Sequence, residues 1–271
     1  MAGRQRELFA LVAIPLLVAA IIWLPAWVFL VVLGAAVLLA CDELLNMARS
    51  AGFDVGRVLP LGLLTFLLAA SWTSGVTGLA VAAVAIILIL PTARLTDHRA
   101  PNGSFGGMAA EGFAILYLGL TTACFGWLRL WPGDPNGIKL LFFYLACIWV
   151  GDSGAYYVGK NFGRHKMSPR ISPNKTLEGL AGAIVTTFGA AAIAAWALDL
   201  DLAPIHIAAL AGILAITAPL GDLVESLFKR DTGVKDSSTL LPGHGGLLDR
   251  TDSLVFPAPF VLAYLVVVGL L

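Results

Sequence analysis

Residues 221–252, GDLVESLFKRDTGVKDSSTLLPGHGGLLDRTD, concentrate charge between two long apolar runs. The stretch contains six acidic residues, four basic residues and one histidine, whereas the chain on either side of it is mostly hydrocarbon. Ionisable groups inside a bilayer cost roughly 2.5–3.5 kcal/mol each on insertion scales, so their presence indicates a use. The stretch therefore predicts a functional site at or inside a membrane boundary.

Composition indicates the class of protein. Of the 271 residues, 59% are hydrophobic and only 13% are charged, and the mean hydropathy is +0.88. These values lie outside the range of soluble domains, so we predict an all-α, polytopic integral membrane protein. The formal net charge of zero argues neither for nor against an anionic partner. Cys41, Cys124 and Cys147 lie in or beside apolar runs without CxxC spacing, and we interpret them as small buried hydrophobes.

About nine apolar runs are long enough to span a bilayer, which takes about 20 residues each. They lie at about 8–24, 26–45, 58–73, 75–93, 109–130, 138–158, 177–198, 204–227 and 251–271. The runs lack the alternation of barrel strands, so we expect helices. The first run resembles a signal peptide but continues into the second without a convincing cleavage site, so we expect it to be retained. We expect one transmembrane catalytic domain, 1–271, with N-terminal helices in 1–108 and the site-bearing helices and loops in 109–271.

The distribution of basic residues predicts the orientation of these helices. With the N-terminus in the cytoplasm, fifteen of the seventeen lysine and arginine residues fall in inner loops, and only Arg129 and Lys139 fall outside. This asymmetry follows the positive-inside rule. We therefore expect a cytoplasmic N-terminus, an outer C-terminus and a site that faces the cytoplasm.

Four polar residues before the charged loop share one helix face, because their spacing is i, i+3, i+4 and i+7. They are Asp222, Glu225, Ser226 and Lys229. One interpretation is an internal ion pair between Glu225 and Lys229 that orients the helix. That pair leaves Asp222 unexplained.

Asp249 and Asp252, at the start of the ninth run, also have i, i+3 spacing. If the loop 231–248 folds back, Asp222 and Asp249 can converge near the inner boundary. Two carboxylates cannot both stay ionised in a low dielectric without a cation between them. Oxygen ligands without a thiolate favour a hard ion, so we predict Mg²⁺ on Asp222 and Asp249, with an Asp/Lys salt-bridge network as the alternative.

The loop between these helices combines cationic side chains with glycines. Lys229, Arg230 and Lys235 carry donors that suit phosphate groups, and the glycines of PGHGG (242–246) allow backbone amides to approach an anion. A glycine-rich loop alone could be a simple turn, but with the basic residues and the candidate metal ligands it predicts a polyphosphate site. His244 could contact a substrate or make a structural hydrogen bond.

A second polar group combines Asp152 with the segment SPNKT (172–176) on the same predicted face of the membrane. Its candidate substrate contacts are Asp152, Ser172, Asn174 and Lys175. The segment also predicts a helix start, with Pro173 and Thr176 setting the N-terminus and Glu178 in the first turn. The two interpretations are compatible, because a helix N-terminus is itself a good anion site.

The run 226–252 resembles the signature of the phosphatidate cytidylyltransferases, also called CDP-diacylglycerol synthases. The matching positions are Ser226, Lys229, Arg230, Lys235, Asp236, Pro242, Gly243, His244, Gly245, Gly246, Asp249, Arg250 and Asp252. The segments GDSGAYYVGK (151–160) and SPNKTLEG (172–179) resemble the family's other inner-face motifs. The resemblance extends over the whole chain and is weakest before residue 100.

This resemblance implies a nine-helix homodimeric membrane enzyme that uses CTP, Mg²⁺ and phosphatidic acid to make CDP-diacylglycerol and pyrophosphate. Asp222 and Asp249 match the family's metal-binding aspartates, and a K⁺ beside the Mg²⁺ is also implied. The expected catalytic residues are Asp222, Asp249, Lys229, Arg230, Lys235 and Asp236. The expected substrate contacts are Asp152, Ser172, Asn174, Lys175, Ser226, His244, Arg250 and Asp252. We expect a bacterial inner membrane as the location and no nucleic-acid partner.

Two other functions fit parts of the sequence. A CTP-dependent lipid kinase would use a similar site but would transfer the terminal phosphate and release CDP. A secondary transporter would also carry carboxylates in its helices, but near the midplane and on interrupted helices of repeated halves, whereas here the charges cluster at one face.

Overall fold

The computed structural model describes residues 15–16, 18–96, 102–131, 133, 135–238 and 245–270 of the chain. The elements are α1 (Ala26–Ser50), α2 (Val58–Leu95), α3 (Ser104–Leu130), α4 (Asn136–Phe162), β1 (Lys166–Ser168), β2 (Ser172–Thr176), α5 (Leu177–Ala197), α6 (Pro204–Asp231), α7 (Leu248–Val255) and α8 (Ala258–Val267). Helices dominate these ranges, and the sheet among them is a two-stranded hairpin. The predicted all-α class is confirmed.

Seven helical segments in these ranges are long and apolar enough to cross a membrane, with α2 counted once and α7 and α8 counted together as one. This confirms the prediction of a polytopic membrane protein. The count of nine stays a prediction, because part of the first run (8–24) lies outside the described residues. The predicted cytoplasmic N-terminus lies outside them as well.

The helix α2 contains the third and fourth predicted runs and changes direction between them. Gly75 has φ 61° and ψ −144°, a backbone conformation that residues with a Cβ rarely adopt. A Cβ on Gly78 would overlap the carbonyl oxygen of Ala70, although residues eight positions apart in a continuous helix lie about 12 Å apart along its axis. The chain therefore folds back at Gly75, so the two runs form separate helical segments that lie side by side.

The chain divides into two compact units. The first comprises residues 1–126 and 229–251, and the second comprises residues 127–228 and 252–271. The charged stretch 221–252 therefore contributes residues to both units.

In the first unit, ion pairs fix the connection between α1 and α2 against α3. The guanidinium of Arg94, near the end of α2, lies 3.2 Å from Asp54 Oδ2 and 2.8 Å from Glu111 Oε1. The same Glu111 oxygen accepts a hydrogen bond from the backbone amide of Gly56. Because Glu111 is 2% exposed, its carboxylate is stabilised by these donors and not by water.

In the second unit, small residues allow α4 and α5 to pack closely. A Cβ added to Gly154 would lie 2.8 Å from Thr186 Cβ, and one added to Gly182 would lie 2.6 Å from Val158 Cβ. Position 154 faces 186 and position 158 faces 182, so the two helices run antiparallel. Glycine at the contact lets the backbones approach as they do at other interfaces between membrane helices.

The hairpin of β1 and β2 connects α4 to α5. Lys166 pairs with Thr176 across the two strands. The Oγ1 of Thr176 accepts a hydrogen bond from the amide of Gly179 at 3.1 Å, which caps α5, and Glu178 lies in the first turn. The predicted helix start is confirmed for Thr176 and Glu178. Pro173 does not take part in it, because SPNKT forms the strand that leads into the helix.

Candidate active site

Three carboxylate side chains meet in the second unit. One oxygen each from Asp222, Glu225 and Asp252 lies within 4.8 Å of the other two. Asp222 and Glu225 follow i, i+3 spacing on α6, and Asp252 comes from α7. Glu225 and Asp252 are buried, whereas Asp222 is half-buried. Acidic groups so close together, two of them buried, favour the binding of a cation.

The approach of α7 to α6 at this cluster depends on Gly221. A Cβ at that position would lie 2.8 Å from the carbonyl oxygen of Asp252 and 2.8 Å from Phe256 Cβ. Because glycine has no Cβ, the backbone of Asp252 can lie directly against α6. The Asp252 carboxylate thereby reaches Asp222 and Glu225.

Lys175 on β2 brings a positive charge to the acidic cluster. Its Nζ lies 2.7 Å from Asp222 Oδ2 and donates to the carbonyl of Pro219 at 3.1 Å. Asp152, on α4, is close enough for its charge to interact with those of Asp222 and Lys175. The structure thus brings together residues of the two polar groups that the sequence predicted separately.

In the first unit, Asp249 is surrounded by donors. The Nζ of Lys229 lies 2.6 Å from Asp249 Oδ1, and the two side chains are only 12% and 5% exposed, respectively. Asp249 Oδ2 accepts hydrogen bonds from the amide of Ser237 at 3.0 Å, from the hydroxyl of Ser237 at 2.8 Å and from the amide of Gly246 at 2.8 Å. The Lys229 ammonium and the two amides hold this carboxylate in one orientation, and the Ser237 hydroxyl can add a fourth hydrogen bond.

Backbone conformation and close packing in the same unit explain why the last two residues of PGHGG are glycines. Gly245 has φ 79°, and a Cβ there would lie 2.6 Å from Asp249 Oδ2. Gly246 is enclosed, and a Cβ on it would overlap the hydroxyl of Ser237 and the carboxylate of Glu43. Glycine at these positions allows the backbone to come within hydrogen-bonding distance of Asp249.

Similarity to known proteins extends over nearly the whole chain, since the model of the cytidylyltransferase family matches residues 4–268. The chain belongs to the cytidylyltransferase family. The phosphatidate cytidylyltransferase of Bacillus subtilis (strain 168) is 35% identical over 244 residues, which cover 88% of this chain and 87% of that protein. Relatives of the same name from Staphylococcus saprophyticus and Staphylococcus aureus (strain COL) are 36% and 32% identical, over 82% and 90% of this chain and 84% and 94% of theirs. The resemblance based on the run 226–252 is confirmed.

Three other residues predicted as substrate contacts of this family member lie near the acidic cluster in the chain or in space. Ser226 Oγ donates to Asp222 Oδ1 at 3.4 Å. Ser172 and Asn174 precede Lys175 on β2, and Ser172 is half-buried whereas Asn174 is exposed. Their roles in binding a substrate stay predictions.

The remaining predicted residues belong to the first unit. Those that are exposed, and so can reach a ligand in solution, are Arg230, Lys235, Asp236 and Arg250. His244 lies outside the described residues. The pairing of Asp222 with Asp249 at a metal stays a prediction, because the two residues belong to different units.

Sequence reasoning missed several residues of these groups. It gave Glu225 no role besides a possible ion pair with Lys229, and the structure adds Glu225 to the acidic cluster and pairs Lys229 with Asp249. It also passed over Glu43 and Ser237, which contact each other. A usable signal for Glu43 was present, since an acidic residue inside an apolar run predicts a function by the same reasoning as in the stretch 221–252.

The donor set of the acidic cluster fits a hard divalent cation. Its three ligands are carboxylate oxygens, which Mg²⁺ and Ca²⁺ prefer. Oxygens around an octahedral Mg²⁺ lie about 3 to 4.2 Å apart, and the three oxygens here lie within 4.8 Å of one another. Lys175 offsets part of their negative charge from the edge of the cluster.

Proposed function

We propose that this protein transfers the cytidylyl group of CTP to phosphatidic acid and so forms CDP-diacylglycerol and pyrophosphate. The observation that carries the proposal is the acidic cluster of Asp222, Glu225 and Asp252 beside Lys175, in a chain of the cytidylyltransferase family. The relatives named phosphatidate cytidylyltransferase, which cover most of the chain, support the choice of substrates.

The reaction is an in-line displacement at the α-phosphorus of CTP. A phosphate oxygen of phosphatidic acid forms the new bond to this phosphorus, and the bond between the α-phosphorus and the bridging oxygen breaks, so that pyrophosphate leaves with the bonding electrons. A phosphate monoester is already ionised at neutral pH, so the chain needs no strong general base. Catalysis rests on positioning the two phosphates and on neutralising their charge.

In this proposal the acidic cluster holds Mg²⁺ through Asp222, Glu225 and Asp252. It keeps Asp222 from the predicted metal pair and gives Asp249 an orienting role instead of a ligand role. The bound ion would supply the positive charge that neutralises phosphate oxygens of the nucleotide. Lys175 orients the Asp222 carboxylate through their ion pair, and Asp152 adds negative charge beside it. A neighbouring K⁺, which the family resemblance implies, belongs to the same proposal.

Four basic residues are proposed to contact the phosphates of CTP or of the lipid, and two acidic residues are proposed to orient them. The basic residues are Lys229, Arg230, Lys235 and Arg250, and the acidic residues are Asp236 and Asp249. Lys229 is ion-paired with Asp249. Its ammonium group has three N–H donors, so it can contact a substrate phosphate while it stays paired with Asp249. Ser172, Asn174 and His244 complete the proposed set of substrate contacts. Guanidinium and ammonium groups are the usual partners of phosphate in proteins.

The lipid substrate explains why an enzyme that uses a nucleotide consists almost wholly of apolar helices. Phosphatidic acid reaches the site from within the bilayer, with its acyl chains among the helices. We further propose that the protein is a homodimer of a bacterial inner membrane and that its site faces the cytoplasm, where CTP is found. The support for this orientation is the excess of basic residues in the predicted inner loops.

The decisive experiment follows label from CTP in purified protein reconstituted with phosphatidic acid and Mg²⁺. Label in the nucleobase and label in the γ-phosphate are used in parallel, and the products are separated by chromatography. The proposal predicts that the cytidine label moves into the lipid while the γ-label appears in pyrophosphate. A γ-label that moves into lipid, with release of CDP, would identify a lipid kinase.

Asp222→Asn provides the inactive control for this experiment, because it removes one carboxylate charge from the cluster with little change in size. Asp201→Asn is the matched control, since Asp201 is an exposed acidic residue of the same unit outside the cluster. We expect a loss of about 100-fold or more in kcat for the first variant and none for the second. Similar kcat in both would contradict the assignment of the cluster.

A further inference from the structure

Glu43, near the end of α1, is a buried carboxylate that accepts hydrogen bonds from four donors. It is 5% exposed. Its Oε1 accepts from Ser238 Oγ at 2.6 Å and from the amide of Leu247 at 3.0 Å. Its Oε2 accepts from Ser237 Oγ at 3.0 Å and from the amide of Leu248 at 2.8 Å. Each carboxylate oxygen thus binds one hydroxyl and one backbone amide.

The four donors stand on the two flanks of the segment 239–244, which itself lies outside the described residues. Ser237 and Ser238 precede the segment, and Leu247 and Leu248 follow it. One side chain on a helix therefore fixes both ends of the segment that contains most of PGHGG. Closing a loop in this way costs chain entropy, which the four hydrogen bonds to a charged group offset.

Ser237 connects Glu43 to Asp249. Its hydroxyl oxygen lies 3.0 Å from Glu43 Oε2 and 2.8 Å from Asp249 Oδ2. A hydroxyl has one proton, so it donates to one carboxylate at a time. The amides of Ser237 and Gly246 also bind Asp249, so displacement of either flank would move the donors that hold this carboxylate.

The helix that carries Glu43 is itself fixed at this point. The neighbouring residue Asp42 accepts two hydrogen bonds from the guanidinium of Arg57, at 2.7 and 2.9 Å. The bidentate pair ties the end of α1 to the start of α2, and such fork-like pairs define orientation as well as distance. The pair of Asp42 with Arg57 therefore helps to define the position of the neighbouring Glu43.

We propose that Glu43 is a positioning residue for cytidylyl transfer, which holds the two flanks of the segment 239–244 and, through Ser237, the carboxylate of Asp249. This inference rests on the proposed function, because Asp249 and the flanks of the segment 239–244 are proposed to take part in the transfer reaction. Glu43 hydrogen-bonds to protein groups only, the hydroxyls of Ser237 and Ser238 and the amides of Leu247 and Leu248. It affects the reaction by holding these groups in position.

The test uses Glu43→Gln, which keeps the size of the side chain but replaces one acceptor oxygen by an NH₂ group. Whichever oxygen is replaced, one hydroxyl and one backbone amide then face a donor. The hydroxyl can rotate and accept, but the amide cannot. We therefore expect faster hydrogen exchange at the amide of Leu247 or Leu248, by about tenfold or more.

In the same variant we expect kcat for cytidylyl transfer to fall about tenfold or more, with a smaller change in KM for CTP, since positioning acts on the transition state. Glu111→Gln is the matched control, because Glu111 is also a buried glutamate of the first unit that holds a backbone amide through its carboxylate. It should leave kcat and the exchange of residues 245–250 unchanged. Ser238→Ala removes one donor of Glu43 and should show a smaller loss of the same kind even if Glu43→Gln folds poorly. The double variant should lose little more than Glu43→Gln alone.

The outcomes separate this inference from the proposed function. Wild-type kcat in Glu43→Gln and in Ser238→Ala, with or without faster exchange, would overturn the positioning role. Equal losses of kcat in Glu43→Gln and Glu111→Gln would also overturn it, because they would indicate general destabilisation. If the wild-type protein transferred no cytidylyl group, the proposed function would be wrong, and unchanged exchange in Glu43→Gln would still reject the anchoring of the flanks.

Discussion

Lys229 Nζ and Asp249 Oδ1 lie 2.6 Å apart although 20 residues separate them in the chain. Both side chains are largely shielded from water. The ion pair ties the end of α6 to the beginning of α7, so it closes the loop that carries most of the family signature. Lys229, which the sequence predicts to bind phosphate, thus also stabilises the structure through this ion pair.

Replacing Lys229 by Met should lower the free energy of unfolding, because it leaves the buried Asp249 carboxylate without its ammonium partner. Breaking one side of a buried ion pair costs about 3 kcal/mol or more. The double variant Lys229→Met with Asp249→Asn should recover part of this loss, since no uncompensated charge remains. Thermal unfolding in one detergent measures all three proteins. Equal stability of the wild type and Lys229→Met would contradict the structural role of the pair.

Glu225→Gln should weaken the binding of Mg²⁺, since it removes one of three carboxylate ligands while Asp222 and Asp252 remain. We expect the Mg²⁺ concentration for half-maximal activity to rise about tenfold or more. The increase in Tm that Mg²⁺ gives the wild type should shrink in parallel, which measures binding without turnover. Asp201→Asn, outside the cluster, should keep the wild-type response. An unchanged Mg²⁺ response in Glu225→Gln would remove Glu225 from the site.

Lys175→Met should change affinity for Mg²⁺ and turnover in opposite directions. Loss of the ammonium next to Asp222 leaves the cluster more negative, so half-maximal activity should need about fivefold less Mg²⁺. At saturating Mg²⁺, kcat should fall, because Asp222 loses the partner that orients it. Lys166→Met, an exposed lysine of the same hairpin, is the control for both titrations. A parallel loss of affinity and turnover would show that Lys175 does not compete with the cation.

Gly246→Ala should lower kcat strongly, because the added methyl group would overlap Ser237 Oγ and the Glu43 carboxylate. The flanks of the segment 239–244 must then separate, at a cost of about 1–3 kcal/mol. Gly62→Ala in α2 is the matched control, since a Cβ there meets nothing within 4 Å. Steady-state kinetics and thermal unfolding of both variants give the comparison. Full activity in Gly246→Ala would show that this close contact is not needed.

Gly154→Ala should destabilise the second unit through the packing of α4 against α5. Its new methyl group would contact Thr186 at distances that real Cβ atoms do not adopt, so we expect a loss of about 1–3 kcal/mol. Gly189→Ala, in α5, places its methyl group in open space and should be neutral or slightly stabilising. Denaturant titration distinguishes the two. Equal stability would mean that the helices are free to move apart.

The helices and the two polar groups could be predicted because their signals are local in the chain. Apolar runs, helix spacing and the cap at Thr176 each depend on a few neighbouring residues, and the structure bears them out. The cluster of Asp222 with Glu225 and Asp252 depends on how closely α7 approaches α6. That distance is set by the missing side chain of Gly221, which no periodicity reports.

The partners of Glu43 were beyond prediction for a related reason. Glu43 contacts Ser237 across 194 residues of chain, and helix spacing carries no information over such a separation. The reversal at Gly75 is intermediate, since the sequence predicts two runs there and only the positive φ of the glycine explains how they are joined. Local sequence signals predicted which segments contribute to the candidate site. Tertiary packing determines which of their side chains contact one another.

The long separation between Glu43 and Ser237 also sets an order of assembly. At about 5–20 residues per second of synthesis, the serine is added to the chain on the order of 10 to 40 seconds after the glutamate. During that interval the carboxylate of α1 has none of the four donors that bind it in the finished protein. Until the last part of the chain is made, the N-terminal helices depend on contacts among themselves, which include the pair of Asp42 with Arg57. Assembly of the candidate site is thus a late event in the biogenesis of this protein.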